Sequence, residues 1–402
     1  MLKLRPAIVV ESDRPETHGA AGAGPGAPGA AAGEQRLVVE IPGPEGSAER
    51  RPAIADVGLV GAAQVGDEVI VNVQALDLGL GSGGFDIVHV NLTRGLDGEG
   101  VEGAHVMKLN YTSLQHAVAP VEDQSLEIPI GRPVAVLALH GQLAAVAWAF
   151  SRAAPGMRVG YVQTEGGALP GGHSRAVAML RERGLLAGHL TAGSAFGGEG
   201  EAITTAGALH HGLRKLGWDA ALCGPGPGVI GSSTTLGHGG MAALDSAHVA
   251  LALGCPTLLV ARMSASDDRQ RHRPISHHTL TVLDLLLEPV SVALPAGMRS
   301  PVGTDLRAGL GAIFVGTKRS PPTPALDVAR PARITRHDWR RAAVDLPAYA
   351  ASGLPTETMG RGPAEDPLFF GAALAGGAAL AELLASIEPE GEGEGEGEGA
   401  SR

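Results

Sequence analysis

The sequence predicts an α/β protein with a small β-barrel-like domain at the N-terminus and a Rossmann-like domain, built on a doubly wound parallel sheet, after it. Two patterns support this fold class. Residues 1 to 105 contain short runs rich in β-branched residues that are bounded by Gly, Pro and Asp. From residue 133 onward, apolar runs alternate with amphipathic helical segments, which is typical of a parallel sheet covered by helices on both faces.

The β domain, residues 1 to 105, is predicted from four strand-like segments: LRPAIVVES, QRLVVEIPG, DEVIVNVQAL and FDIVHVNLTRG. Short strands of this kind, with turn residues between them, favour a small barrel or sandwich. Residues 14 to 35, between the first two segments, are dominated by Ala, Gly and Pro. Such a composition buries too little apolar surface to order itself, so we expect a flexible insert here.

A junction segment, residues 106 to 132, connects the two predicted domains. The stretch HVMKLNYTSLQ alternates, with apolar residues on one face and Lys108, Asn110 and Thr112 on the other, which predicts a strand. The chain contains only four lysines against 27 arginines. A lysine kept in such a chain can be needed for its compact, titratable amine. We therefore expect Lys108 and Asn110 to close a site from the junction, with Lys108 as a catalytic group.

The α/β domain is predicted to span residues 133 to 320. Its strands are predicted at PVAVLAL, RVGYVQT, AGHLTA, DAALC, PTLLVA and PVSVALP, and GAIFVGT would add one more. Its helices are predicted at QLAAVAWAFSRA, HSRAVAMLRERG, EAITTAGALHHGLRKLG, GMAALDSAHVALALG and HHTLTVLDLLLE. Residues 321 to 387 are predicted to form a mainly helical extension. Residues 388 to 402, in which Glu alternates with Gly, are predicted to be disordered.

Charge and composition exclude several classes of partner. The net charge is −11, and the six Glu and one Arg of residues 388 to 402 carry almost half of it, so the body of the chain offers no electrostatic footprint for nucleic acid. Two cysteines without framework spacing and an N-terminus without a secretory apolar region favour a cytoplasmic protein. The apolar segment PLFFGAALAGGAALAELLASI is rich in Ala and Gly and contains Glu382, which indicates a packed helix rather than a membrane span.

The glycine-rich stretch CGPGPGVIGSSTTLGHGGMAAL, residues 223 to 244, follows a predicted strand. Gly226, Gly228 and Gly231 match the dinucleotide-binding spacing, but the helix does not begin at the third glycine and no acidic residue ends the next strand. The lysine of a triphosphate-binding loop is also missing. A nucleotide site is therefore disfavoured.

The same stretch still predicts a site for an anion or a carboxylate group. Glycines let backbone N–H groups converge, serine and threonine add hydroxyls, and a helix N-terminus follows. We expect ligand contacts at Gly226, Gly228, Ser233, Thr234 and Gly239. The alternative is a crossover loop whose glycines serve only tight packing.

Histidines follow several of the predicted strands at the same edge of the sheet. His140 comes after the first strand of the α/β domain, His173 opens its second helix, and His238 ends the glycine-rich stretch. His277 and His278 precede the last clear helix. Because the carboxyl ends of parallel strands share one edge, we expect these imidazoles to converge, with His238 and His277 as catalytic groups and His140 as a ligand contact.

Three stretches, HVMKLNYTSLQ, CGPGPGVIGSSTTLGHGGMAALDSAHVALALGCP and ISHHT, give the chain a family resemblance. Together they resemble the bacterial family known as domain of unknown function 3866. The resemblance covers nearly the whole chain apart from the Ala-Gly-Pro insert and the Glu-Gly tail. It implies a cytoplasmic bacterial protein and no particular reaction.

These observations favour an enzyme or binding protein for a small anionic or carboxylate-bearing molecule at the carboxyl edge of the sheet. The sequence identifies no cofactor, no nucleic-acid or membrane partner and no recognised metal motif, and it leaves a homodimer open. One alternative is a non-catalytic interaction or regulatory protein that uses the Rossmann-like body as a scaffold. Another is a metal-dependent hydrolase, if His238 shares an ion with His277 or His278 and with Asp245 or Glu165.

Overall fold

The computed structural model describes residues 1–15, 17–18, 31–43, 46–79, 84–98, 100–296 and 331–387. Most of the predicted insert at 14 to 35, the predicted strand GAIFVGT and the Glu-Gly tail lie outside these residues. The described residues form a closed barrel and an eight-stranded sheet with helices. The predicted fold class is therefore confirmed.

The N-terminal body is built from short strands and two single-turn helices. They are β1 (Leu4–Ser12), β2 (Thr17–His18), β3 (Ala31–Ala32), β4 (Glu34–Pro42), β5 (Ala48–Asp56), α1 (Val57–Val60), β6 (Glu68–Asn72), α2 (Gln74–Asp77) and β7 (Asp86–Asn91). Five strands close a barrel in the order β1-β4-β5-β7-β6, and β2 pairs separately with β3. Small inward side chains such as Val9, Val39 and Val71 fill the barrel.

Strand β5, AERRPAIAD, is the barrel strand that the sequence did not predict. Its first half carries exposed charges and a proline, so it lacks the alternation of a half-buried strand. Arg51 of β5 is buried because its guanidinium binds both carboxylate oxygens of Asp86, at 2.6 and 3.0 Å, and reaches Asp77 at 2.7 Å. These hydrogen bonds raise the pKa of Arg51 and keep it charged inside the wall of the barrel.

A short hairpin, β8 (Val106–Lys108) and β9 (His116–Val118), follows the barrel. The α/β body then contains the following strands and helices: β10 (Val134–Leu137), α3 (Leu143–Ala153), β11 (Val159–Thr164), α4 (Arg175–Glu182), β12 (His189–Ala192), β13 (Gly200–Ala202), α5 (Thr205–His210), β14 (Ala220–Pro225), α6 (Ala242–Ala252), β15 (Thr257–Val260), α7 (His277–Leu285), β16 (Ser291–Pro295), α8 (Pro331–Thr335), β17 (Asp338–Ala342), α9 (Leu346–Ala350) and α10 (Pro367–Ala385). Single turns of 3-10 helix precede several of these helices: His140–Gln142, Gly171–His173, Gly239–Met241 and Gln270–His272.

All eight strands of the large sheet are parallel, in the order β13-β12-β11-β14-β10-β15-β16-β17. Helices α3, α4, α9 and α10 pack on one face of the sheet, and α5, α6, α7 and α8 pack on the other. Strands β10 and β15 are neighbours in the sheet. After β10 the chain continues to β11, toward the β13 edge, and after β15 it continues to β16, toward the β17 edge. The loops after these neighbouring strands therefore diverge, and ligands bind at such a point in open parallel sheets.

Two regions of the α/β body differ from the prediction. Glu201 and Ala202 were predicted as the start of a helix but belong to the edge strand β13. The predicted helical extension contains β17, whose residues Asp338–Ala342 form the opposite edge of the sheet. Both are edge strands with charged residues, and neither has the apolar run by which buried strands are recognised.

Helix α10 is long and apolar enough to span a membrane by length and composition, but 78% of that stretch is buried within the protein. It lies against α3, and Gly377 is the point of close approach. A Cβ on Gly377 would lie 2.2 Å from the carbonyl oxygen of Val146 and 2.8 Å from the Cβ of Ala149. The glycines of this helix therefore allow the two backbones to touch, as expected for a packed helix.

We predict that Gly377→Ala destabilises the protein by about 1–3 kcal/mol, because the added methyl group must push α10 away from α3. Helix propensity alone predicts the opposite, a gain of roughly 1 kcal/mol. Urea unfolding followed by circular dichroism measures the difference. Glu382→Ala, on the exposed side of α10, is the control and should change stability little. A stabilised Gly377→Ala variant would contradict the close contact.

Candidate functional site

Four histidines lie together at the carboxyl ends of β14 and β15, and we call them the histidine cluster: His238, His272, His277 and His278. His238 ends the loop after β14, directly before the turn Gly239–Met241 that leads into α6. His277 and His278 form the first turn of α7, which Ser276 caps by accepting a hydrogen bond from the backbone N–H of His278 at 3.2 Å. Chain segments far apart in sequence thus meet at one edge of the sheet.

The rings of the cluster are in direct contact. His238 stacks on His278 with ring centroids 3.6 Å apart and an interplanar angle of 16°. The ring of His277 stands across both, at 5.4 Å from His238 and 4.4 Å from His278. His272 lies 5.1 Å from His277 and 5.0 Å from His278. All four residues are at most 8% exposed.

Arg262 binds the cluster from the end of β15. Its Nη1 lies 3.1 Å from Nδ1 of His278. A guanidinium only donates hydrogen bonds, so Nδ1 of His278 accepts, and the proton of the neutral ring is on Nε2. The backbone of Arg262 is held by α7, because its N–H donates to Thr279 Oγ1 at 2.9 Å and its carbonyl accepts from the N–H of Ser276 at 2.9 Å.

Several nitrogen atoms of the site are buried without a hydrogen bond. They are Nδ1 and Nε2 of His238, Nε2 of His277 and Nε of Arg262. The carbonyl of Thr235 approaches the His238 ring, but its geometry falls short of a hydrogen bond. Buried polar atoms in proteins are almost always satisfied, so a group of unsatisfied ones indicates a place for water, an ion or another ligand.

The site has more arginines than carboxylates around it. Asp267, which is buried, lies 3.3 Å from Arg262, 2.9 Å from Arg269 and 3.3 Å from Arg361. Asp366 accepts from Ser264 Oγ at 2.5 Å and lies 3.4 Å from Arg361. These arginines hold the pKa of Asp267 well below its usual range, so it stays ionised. The charge next to the cluster remains positive.

Burial and positive charge keep the cluster neutral. Burial lowers the pKa of His272 to about 3 and that of His277 to about 4. It also lowers the pKa of His278 and His238, and Arg262 adds to the effect on all four rings. A neutral imidazole has one N–H donor and one free lone pair. At neutral pH the cluster can therefore donate hydrogen bonds to oxygen atoms and accept hydrogen bonds at its free lone pairs.

Gly240, two residues after His238, leaves space for the rings. A Cβ on this glycine would lie 3.1 Å from Nδ1 of His238 and 3.5 Å from Nδ1 of His278. The turn Gly239–Met241 and helix α6 also lack a side-chain cap at their N-terminus. The N-termini of α6 and α7, which are the positive ends of their helix dipoles, therefore both lie at the cluster, and this favours an anion there.

Packing explains two of the glycines that were predicted to bind a ligand. A Cβ on Gly226 would lie 2.3 Å from the carbonyl oxygen of Ala168 and 2.6 Å from Nε2 of Gln163, and a Cβ on Gly239 would overlap the carbonyl of Gly166. The loops after β11 and β14 therefore touch through their backbones. Gly228 is exposed and left-handed, with φ 66°.

The tip of the glycine-rich loop is an exposed turn that bonds to itself. Ser232 Oγ lies 2.8 Å from Thr234 Oγ1 and donates to the carbonyl of Gly237 at 2.8 Å. Thr234 Oγ1 accepts from the N–H of Gly237 at 3.1 Å. Ser233 is exposed beside it. The structure thus brings His238 of this loop into the cluster and leaves Ser233 and Thr234 at the surface.

The predicted strand HVMKLNYTSLQ was wrong beyond Lys108. Leu109 and Tyr111 adopt left-handed backbone conformations, with φ 53° and 61°, and the chain reverses into β9. The exposure of the two faces is also the reverse of what the alternation predicts, because Met107 is 43% exposed whereas Lys108 is buried. Asn110 lies exposed in the turn.

Lys108 anchors this hairpin to the loop after β12. Its Nζ lies 2.6 Å from a carboxylate oxygen of Glu201 and donates to the carbonyls of Thr191, at 3.2 Å, and Ala195. Burial lowers its pKa, and Glu201 opposes this. The three N–H donors of the amine are thus used by the protein. None of these partners belongs to the histidine cluster. The contacts of Lys108 are those of a structural residue that holds the hairpin in place.

His140 and His173 lie outside the cluster, so the predicted convergence was wrong for them. His140 Nε2 lies 2.7 Å from Ser174 Oγ, and its Nδ1 lies 3.3 Å from the carbonyl of Pro225. His173 Nε2 lies 3.3 Å from the carboxylate of Asp56, at the end of the barrel strand β5. The first histidine thus connects loops of the sheet, and the second connects the sheet domain to the barrel.

A family model described as "Protein of unknown function (DUF3866)" matches residues 52–377 of the chain. The chain belongs to this family. The resemblance seen in the sequence is thereby confirmed, and the match includes every residue of the histidine cluster. No curated protein and no solved structure matches the chain. The function of this DUF3866 protein must therefore be inferred from the site itself.

Sequence reasoning missed Arg262 and His272 in this DUF3866 chain. Both lie in RMSASDDRQRHRPIS, between β15 and α7, a segment without a strand or helix pattern. A signal was present, because this short run directly after a buried strand holds four arginines and a histidine. A concentration of cations at the carboxyl end of a parallel strand predicts an anion site better than glycine spacing does.

We predict that the free energy of unfolding of the DUF3866 protein falls by on the order of a few kcal/mol as the pH drops from about 6.5 to about 4. The sign follows because a histidine whose folded pKa is lowered is neutral when folded and takes up a proton on unfolding. Urea unfolding at several pH values measures this. His277→Gln should reduce the slope, and exposed His105→Gln should not. Constant or rising stability toward acid would contradict the assignment.

Proposed function

We propose that this protein is a cytoplasmic enzyme or binding protein for a small anionic or carboxylate-bearing molecule, held by the histidine cluster and Arg262. One observation carries the proposal: the unpaired ring nitrogens of His238 and His277 are buried beside a buried arginine. A bound anion would satisfy these atoms and offset the excess of positive charge.

The contacts of the site support an anion in chemical terms. Arg262 has an unpaired Nε–H, and the Nε2–H of His278 is oriented by the bond that its Nδ1 accepts. Hydrogen bonds to a charged group in a buried site contribute about 1.5–3 kcal/mol each. His238, His277 and His278 are 6 to 8% exposed as residues, and the unpaired nitrogens of His238 and His277 are themselves buried, so a hydrogen bond that they make to an anion is shielded from water.

His238 and His277 are the proposed reactive groups if the protein is an enzyme. Each is neutral at physiological pH and has a ring nitrogen that no protein group uses. Such a nitrogen can take a proton from a bound hydroxyl or water, which is general base catalysis. Ser233 and Thr234 enter the proposal only as the exposed tip of the loop that carries His238.

We predict that small carboxylates or phosphates raise the melting temperature of the wild-type protein in a metabolite screen. A ligand at about 100 times its dissociation constant stabilises a protein by roughly 2.7 kcal/mol. His238→Gln and Arg262→Lys should lose this shift, because the first removes a ligand contact and the second removes the Nε–H donor. Exposed His105→Gln is the matched control and should keep it. Equal shifts in wild type and both site variants would remove these residues from the site, and a screen without any stabilising ligand would favour a non-catalytic interaction protein.

A metal-dependent hydrolase is the second candidate, and the spacing of three imidazoles favours it. One nitrogen from each of His238, His277 and His278 lies within 4.8 Å of the others. Neutral imidazoles are common ligands of transition metals, which lower the pKa of bound water. Two features oppose it: Arg262 already uses Nδ1 of His278, and no carboxylate joins this group among the described residues. Glu165, considered from the sequence, instead accepts from Ser194 at 3.3 Å.

We predict that untagged protein contains far less than one transition-metal ion per chain and gains none after incubation with Zn²⁺ and desalting. The physical reason is that a cation at this site would face Arg262 and two helix N-termini. Elemental analysis by mass spectrometry measures the content. A stoichiometric ion that is lost in His277→Gln but retained in His105→Gln would establish the hydrolase candidate instead.

A further inference from the structure

The donors of the site point in different planes. His238 and His278 are nearly parallel, at 16°, whereas the ring of His277 is inclined to them by 73° and 61°. Arg262, at the end of β15, holds the ring of His278 in this orientation through Nη1. A carboxylate offers two oxygens in one plane, but a phosphoryl group offers three acceptor oxygens around a tetrahedron. The arrangement of donors suits the tetrahedral group.

The charge around the cluster matches a group with more than one negative charge. The charged residues that act on His272 and His277 are Arg262, Arg269 and Arg271 against Asp267, an excess of two positive charges. The Nε atoms of Arg262 and Arg271 are buried without a hydrogen bond. A phosphate monoester carries about 1.5 to 2 negative charges near pH 7, whereas a carboxylate carries one. A buried site is most stable when the charge that enters balances the charge already present.

The helix termini point to the same class of ligand. Helix α7, of nine residues, begins with His277, and helix α6, of eleven residues, follows His238 through one turn of 3-10 helix. N-termini of helices bind phosphate because backbone N–H groups and the helix dipole both favour negative charge. Here the two termini coincide with buried, unpartnered imidazole nitrogens that face the same space.

We infer that the ligand of this site is a small molecule carrying a phosphate monoester, bound through its phosphoryl oxygens by Arg262, His278, His238 and His277. This inference rests on the proposed function, since it names the anion that the same site recognises. The rings of His238, His277 and His278, which each have a nitrogen within 4.8 Å of the others, donate to the phosphoryl oxygens. Arg262 orients the ring of His278 through Nη1 and adds its positive charge beside the phosphoryl group.

A matched pair of ligands tests the inference: phenyl phosphate and benzoate, which share a ring and differ in the anionic group. Inorganic phosphate and acetate serve as the pair without a ring. Isothermal titration calorimetry on the full chain should show phenyl phosphate binding at least about tenfold more tightly than benzoate. Arg262→Lys and His238→Gln should each lose at least about tenfold of the phosphate affinity. Arg341→Lys and His105→Gln, both at exposed positions, are the matched controls and should bind as wild type does.

The possible results distinguish a failure of the phosphoryl assignment from a failure of the proposed function. Benzoate and acetate binding as tightly as their phosphate partners, with loss in Arg262→Lys, overturns the phosphoryl assignment and leaves an anion site. No binding of either pair, or binding unchanged in both site variants, overturns the proposed function as well. Circular dichroism and urea unfolding verify that each variant folds. If Arg262→Lys does not fold, His277→Gln takes its place with the same expected loss.

Discussion

A guanidinium buried at the end of β15 organises the candidate site. A charge that is only 3% exposed must be paired, and Asp267 supplies the pairing carboxylate at 3.3 Å. The remaining donors of Arg262 then determine what lies around it. One of them binds Nδ1 of His278, which orients that ring and places its proton on the other nitrogen. The stacking of His238 on His278 follows from this orientation.

Glycine makes the meeting of these segments sterically feasible. The loops after β11 and β14 approach through Gly166, Gly226 and Gly239, where side chains would overlap backbone atoms. Gly240 then leaves space beside the rings of His238 and His278. A loop that contacts its neighbour through the backbone places the next side chain with little freedom, so His238 is positioned by packing and not by its own hydrogen bonds. The glycine-rich stretch therefore serves the site by holding a histidine, rather than by wrapping a ligand.

The fold was largely readable from the sequence because its signals are local. Buried parallel strands such as VAVL of β10 are continuous apolar runs, and helices such as α4 have a single buried apolar face. Strands β5 and β17 were missed because charged residues interrupt their apolar pattern, and Asp86, the partner that allows Arg51 to be buried, lies far along the chain. Only part of the candidate site could be predicted from the sequence. His238 and His277 were identified at strand ends, but their contact with Arg262 and His272 depends on how the loop after β15 returns to α7, which no local pattern encodes. Lys108 misled for the same reason, since its partner Glu201 is far along the chain.

The unpaired nitrogens of the cluster set a conflict between stability and binding. A buried polar atom without a partner costs about 1–3 kcal/mol, and an apolar side chain of similar size in the same place would avoid that cost. The rest of the α/β body avoids this cost, because Ala, Val and Leu fill both faces of the sheet. Four histidines in mutual contact beside surplus arginines are an exception to that composition, and they lie where parallel sheets bind ligands. Under the proposed function, the free energy withheld from folding at this edge would be recovered when an anion satisfies these nitrogens.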